Sequence, residues 1–330
     1  MGTAGTQSLS KHQTSSKSGY GETLAEAKAL KAEQWTQHKA FNQRMQSALG
    51  GTLINKEARD LSACASALML ELLDDGATRP RPFSSCRRRW CPICEWRKSM
   101  KRYGLMRERL PALVEANQPL VFLMLTVTIR NVQLDLLPKA VDDMLKAFRR
   151  LTRRKEWPAV GFVRSLEVTY PRPGEAHPHI HVMLAVRPSY FKRGYISKAR
   201  WAELWKESMA LDYDPVVDIR SAKSKDEYDL PKSMPLEVRQ AVSCALEVVK
   251  YATKPADVVK AMERGELAGI IETMAALKRK RMVECGGIMR GLFGPEDRDE
   301  AQDDEPESTR SGPVFHWRAG EKVYRRFAGE

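Results

Sequence analysis

A chain of 330 residues with 42% hydrophobic residues can bury one large core or two modest ones, which excludes a disulfide-stapled peptide and a disordered tail. Lys and Arg outnumber Asp and Glu 55 to 42, and residues 296–307 set eight acids against the single Arg298, so the remaining body is more basic than the net +13 suggests. That charge points to a polyanionic partner, most simply nucleic acid, or else to a generally basic surface; with no bilayer-length apolar run and no signal-peptide core, the expected protein is cytoplasmic and without membrane contact.

Residues 1–55 are expected to be largely disordered or weakly helical, since 1–22 are polar and 24–49 have a helical composition with a weakly patterned face. Residues 56–118 read as a helical, cysteine-bearing module. Cys91-Pro92-Ile93-Cys94 is a C-x2-C knuckle, with Cys86 five residues before it and Cys64 farther upstream. Together these supply four thiolates for a structural zinc, and in a reducing compartment such clustering favours metal over disulfides. Arg87, Arg88, Arg89, Arg97 and Lys98 surround the knuckle with Trp90 and Trp96, against only Glu95. They make either a zinc-stiffened, DNA-contacting patch with aromatics or a solvated basic surface.

From 119 to 290, strand and helix signals alternate. Leu120–Ile129 reads as a buried strand, and Leu137, Val141, Met144, Leu145, Phe148 and Leu151 then recur at helical spacing, with Pro138 near the start. Gly161–Tyr170 and His179–Val186 predict a hairpin turned at Pro171-Arg172-Pro173-Gly174-Glu175. A helix capped by Ser197, a short strand near Val216–Ile219 and a helix from Pro235 to about Lys254 complete a β-α-β-β-α-β-α order. This predicts an α+β fold with helices flanking an antiparallel sheet. Residues 291–330 read as an acidic linker and a terminal hairpin of Val314–Trp317 and Val323–Arg325.

In a strand, side chains two apart leave the same face, so His179 and His181 point together while Ile180 and Val182 enter the core. Facing residues of a hairpin centred on Pro173 have numbers summing to about 346, which sets Glu167 opposite His179. The result is a His-His-Glu site with open coordination positions for a divalent ion. A one-residue slip would turn Glu167 to the other face, and strand histidine pairs also occur without a ligand. His177 shares the face at the strand start, where it could instead contact substrate. On the helix from Pro235, Val238, Val242, Ala245, Leu246 and Val249 form one stripe, with Glu247, Tyr251 and Lys254 roughly opposite. Those three are either a functional group or an ordinary salt-bridge face with a snorkelling tyrosine.

The strand Phe122-Leu123-Met124-Leu125-Thr126-Val127-Thr128, then His179-Ile180-His181, then Glu247-Val248-Val249-Lys250-Tyr251-Ala252-Thr253-Lys254 resembles, in order and spacing, the rolling-circle plasmid replication initiators of the HUH endonuclease superfamily. With the cysteine segment and Gly286-Gly287, the likeness covers residues 56–290. The resemblance implies a ferredoxin- or RRM-like nickase domain at 119–290. It implies that Tyr251 attacks a phosphodiester at the double-strand origin, single-stranded at the nick site, leaving a 5′-phosphotyrosyl link and a free 3′-OH for DNA polymerase. It further implies that His179 and His181 hold a divalent ion at the scissile phosphate and that Glu247 activates water for the terminating cleavage. Free tyrosine, with a pKa near about 10, is a poor nucleophile at neutral pH, so charge neutralisation at the phosphate must carry much of the catalysis. Lys254 could steady the developing charge. Imidazole ligands favour Mn2+, whereas cellular abundance favours Mg2+. A host helicase is the further implied partner, in a bacterial cytoplasm. The absence of a second tyrosine from this helix argues against paired-tyrosine initiators and transposases. Single-tyrosine transposases and conjugative relaxases share the chemistry, and a non-catalytic zinc-containing DNA-binding regulator is the reading from another class.

Overall fold

The turn after Tyr170 joins two long strands and fixes the register of the sheet that carries the histidines. The structure, a computed structural model, describes residues 20–49, 55–249, 255–278, 280–294 and 312–327. In chain order the elements are β1 Tyr20–Thr23, α1 Ala32–Ala48, α2 Asn55–Ala63, β2 Ala67–Leu72, β3 Thr78–Pro82, α3 Pro92–Ala116, β4 Val121–Thr128, β5 Val132–Gln133 and α4 Leu137–Leu151. There follow β6 Ala159–Thr169, β7 Glu175–Val186, α5 Tyr190–Arg193, α6 Lys198–Met209, β8 Val217–Ser221, α7 Leu236–Val248, α8 Pro255–Glu263, α9 Leu267–Ala276, β9 Val283–Gly287, β10 Val314–Arg318 and β11 Val323–Phe327. The fold is α+β, with antiparallel sheets flanked by helices.

The larger compact unit holds residues 37–64 and 85–309. Its sheet runs β8-β4-β7-β6-β9, every pairing antiparallel, with β5 added beside β7. Glu167 pairs with His179, as the sum rule requires, and Thr126 and Thr128 pair with His181 and His179 from the other side. Because the side-chain period is two, each face can be followed along the strands. Phe122, Met124, Val163, Met183 and Ala185 pack with Val238, Ala241, Val242 and Ala245 of α7 in one buried cluster. Thr126, Glu167, His179 and His181 continue these rows, so they leave the sheet on the α7 side. The opposite face carries α4 and α6: Phe148 of α4 meets Phe162 edge-on at 5.3 Å, and Trp157 bridges Phe162 and Trp201 of α6 at 6.0 Å each. Ser197 caps α6, its Oγ accepting from the Arg200 N–H at 3.2 Å.

On α7 the expected stripe is fully buried, but Cys244 and Val248 are buried as well, because the helix is packed by α3 as well as by the sheet. Its described residues end at Val249, and the expected extension to Lys254 lies outside the described residues. β9 closes the sheet edge through Gly286 and Gly287. A Cβ on Gly286 would sit 2.2 Å from the Phe162 ring; one on Gly287, at φ +60°, would sit 2.1 Å from the Val160 carbonyl oxygen.

The smaller unit corrects the reading of 56–118 as helical throughout. Residues 20–36, 65–84 and 312–327 form a five-stranded antiparallel sheet in the order β1-β11-β10-β2-β3. Leu68 and Leu70 are buried while Ala67, Met69 and Glu71, which alternate with them, are partly exposed, a two-residue period that marks a strand. Pro80 and Pro82 are tolerated because β3 is an edge strand. The expected helix over 24–49 begins only at Ala32, after β1 and after Lys28 and Lys31 in left-handed conformation. No described helix is long and apolar enough to cross a membrane.

Candidate active site and metal centres

Glu167, His179 and His181 each offer a ligand atom, and these atoms lie within 4.8 Å of one another. Glu167 and His179 are buried and His181 is half-buried. Glu167 Oε2 lies 3.3 Å from Nε2 of His179 and 3.1 Å from Nε2 of His181. The other ring nitrogens face away from it: Nδ1 of His179 is 3.2 Å from the His177 carbonyl oxygen, and Nδ1 of His181 is 3.0 Å from Thr126 Oγ1. A carbonyl only accepts, so Nδ1–H of His179 donates there, and a neutral His179 turns its Nε2 lone pair toward a carboxylate oxygen. A cation between the two would satisfy that arrangement. Two imidazoles, one carboxylate and open positions form a donor set that fits a catalytic divalent ion.

His177 stands beside this trio without joining it. Its ring is 5.6 Å from that of His179, its Nδ1 is buried with no hydrogen-bond partner, and burial, then the neighbouring His179, hold it below the usual imidazole range.

At the last turn of α7, Oε2 of Glu247 accepts from Lys225 Nζ and from the Tyr228 hydroxyl, both at 2.7 Å. The Lys225 backbone N–H also donates to Ser243 Oγ at 3.2 Å, tying the 225–228 turn to α7. Burial, then the hydrogen bond to Glu247, pushes the Tyr228 hydroxyl far above the ordinary tyrosine range, so it remains a donor. Lys225 and Tyr228 were not legible as site residues: Lys-Ser-Lys-Asp-Glu-Tyr reads as a solvated loop, and no local spacing relates it to a helix that begins eight residues beyond Tyr228. Tyr251 and Lys254 lie outside the described residues.

Cys64, Cys86, Cys91 and Cys94 come together as expected. The sulfurs of Cys64 and Cys94, of Cys64 and Cys91, and of Cys86 and Cys94 are 3.6, 3.6 and 3.7 Å apart. Four sulfurs about 2.3 Å from a central zinc have tetrahedral edges of about 3.8 Å, so this spacing fits a structural zinc. Hydrogen bonds from Cys86 and Cys91 pull the Cys64 thiol far down, whereas burial pushes Cys91 up. Helix α1 covers the cluster. Buried Lys39 donates to the Ser62 and Cys64 carbonyls at 2.9 and 2.7 Å, and Asn42 Nδ2 lies 3.5 Å from Cys91 Sγ.

The basic residues around the knuckle are largely held by protein partners. Arg88 pairs with Asp60 at 2.5 Å, Arg89 donates to the Lys280 carbonyl at 2.6 Å, Arg97 to Ser85 Oγ at 2.7 Å, and Lys98 stands 3.5 Å from Glu95. Arg87 is exposed. Trp90 and Trp96, expected to join a DNA-contacting surface, are instead buried, Trp96 stacking on His38 at 4.8 Å. A tryptophan beside the cysteine knuckle has enough apolar area to be drawn into the small core there.

The ordered strand, His-x-His pair and final α7 turn define a plasmid replication initiator, and residues 79–325 match the family described as replication protein. The chain belongs to that family, the rolling-circle plasmid replication initiators its motifs resemble. It is 31% identical over 302 residues to "Protein rep" of Bacillus amyloliquefaciens, covering 85% of this chain and 88% of the relative. It is 32% identical over 270 residues to a "Protein rep" of Bacillus sp, covering 78% and 87%, and 30% identical over 302 residues to that of Lactiplantibacillus plantarum, covering 90% and 89%. No solved structure matches the chain.

Proposed function

We propose that the protein nicks and rejoins DNA at its plasmid's double-strand origin by tyrosine transesterification, within residues 119–290. The observation that carries this reading is the Glu167-His179-His181 trio on the sheet face covered by α7, the helix whose last turn holds Glu247 and whose sequence leads to Tyr251. Tyr251 Oη attacks the scissile phosphorus; the P–O3′ bond breaks, the 3′ oxygen leaves as a hydroxyl that primes DNA polymerase, and the 5′-phosphate stays on the tyrosine. A divalent ion, Mg2+ or Mn2+, bound by His179, His181 and Glu167 would withdraw charge from the phosphate. Lys254 adds positive charge near the tyrosine in sequence. In the terminating step Glu247, its Oε2 fixed by Lys225 and Tyr228, takes a proton from a water that cuts the regenerated origin phosphodiester, and the 3′-OH so released attacks the phosphotyrosyl phosphorus, rejoining the strand and freeing Tyr251. The four cysteines hold zinc, and Arg87, Arg88, Arg89, Arg97 and Lys98 contribute to origin binding. A host helicase opens the duplex beyond the nick.

The test is cleavage of an end-labelled single-stranded origin oligonucleotide with and without added Mg2+ or Mn2+. Wild type should cut only with the ion, and His179→Ala/His181→Ala should not cut yet should still bind origin duplex, because phosphate contacts supply the affinity. Full cutting by the double variant would remove the metal assignment.

A further inference from the structure

Between β7 and α6 the chain places Phe191 and Tyr195, 47% and 65% exposed, close to Tyr190, which is buried. The Tyr190 ring lies 5.1 Å from Phe191 and 5.8 Å from Tyr195, and its hydroxyl donates to the Ile196 carbonyl at 3.2 Å. Two large aromatic rings are thus held in solvent by a third that is anchored in the core. No acidic residue occurs between Glu175 and Glu203, while Arg187, Lys192, Arg193, Lys198 and Arg200 do. Most of these cations are engaged: Arg187 donates to the Asn117 and Pro119 carbonyls, Lys198 stands 3.7 Å from Asp218, and Arg200 pairs with Glu156, Glu203 and Glu207. Lys192 and Arg193 are exposed and pair with no acid among the described residues.

Exposed aromatic rings with unpaired cations beside them suit a partner that carries both π-faces and phosphates. We infer that residues 187–195 form a stacking platform for single-stranded DNA without regard to sequence. Aromatic faces accept any base and the cations follow the backbone. This is not the cleavage pocket. Arg187, just past the end of β7, lies six positions beyond His181, about 20 Å along the strand direction, and the segment leads to α6 on the face opposite the trio. The platform holds displaced or incoming single strand away from the chemistry, and it stands whether or not Tyr251 is the nucleophile.

Fluorescence anisotropy with an oligothymidylate lacking any origin sequence tests it, using the full chain carrying Tyr251→Phe and no added divalent ion. Phe191→Ala/Tyr195→Ala should weaken single-strand binding at least about tenfold while changing affinity for a random duplex less than about threefold. Lys192→Gln/Arg193→Gln should lower the slope of log K against log salt by about 1.4, the contribution of two phosphate contacts on a single strand. Unchanged single-strand affinity in the aromatic variant would overturn the platform. So would equal losses on single strand and duplex, which would leave only a general phosphate contact.

Discussion

Thr126 Oγ1 lies 3.0 Å from Nδ1 of His181, across the β4–β7 pairing that also sets Thr128 opposite His179. The hydroxyl holds the imidazole so that Nε2 faces Glu167. Thr126→Val preserves strand shape and removes that contact. The divalent-ion concentration for half-maximal cleavage should rise about tenfold or more, in line with the loss of an outer hydrogen bond at metal-bound histidine. An unchanged metal requirement would make Thr126 a spectator.

The cysteine cluster should carry about one zinc per chain, as four-thiolate coordination requires. Metal analysis of reduced, freshly isolated protein checks this, and Cys91→Ser should lose the ion together with local folding. Lys39→Met removes the donor to the Ser62 and Cys64 carbonyls, both left without that charge-assisted bond, and should destabilise the protein by about 1–3 kcal/mol in denaturant titration. Zinc-free native protein would remove the metal from this site.

Gly287→Ala should destabilise by about 1–3 kcal/mol, since the residue would keep a left-handed conformation while its Cβ met the Val160 carbonyl. Thermal unfolding measures it. A melting temperature equal to wild type would show that β9 can shift without loss.

The sheet of the larger unit was more legible in the sequence than that of the smaller unit, for a physical reason. Strands β4, β6 and β7 are apolar runs bounded by turn residues, and a five-residue turn between β6 and β7 ties register to sequence separation, so Glu167 could be set against His179 by counting. The four cysteines were legible because a metal knuckle is a local spacing. The smaller sheet was not. Its strands come from three distant stretches of chain, β2 is preceded by helical composition, and β3 carries two prolines, so no local signal joins them. Lys225 and Tyr228 were hidden for the same reason: only the return of the chain onto α7 brings them to Glu247.

Glu247→Gln should still nick and attach to DNA but accumulate the covalent adduct, because hydrolytic release needs a carboxylate base. Tyr228→Phe, which removes one donor to Oε2, should slow release by about tenfold, or 1.4 kcal/mol, with nicking unchanged. Normal release by Glu247→Gln would reduce that residue to a surface charge.

The covalent link itself is the most direct test of the whole account. Wild-type protein incubated with a divalent ion and a single-stranded origin oligonucleotide, then digested with protease and nuclease, should yield by mass spectrometry one peptide carrying a 5′-nucleotide on Tyr251, and Tyr251→Phe should yield none while still binding the DNA. A nucleotide on another residue, or continued adduct formation by Tyr251→Phe, would contradict it.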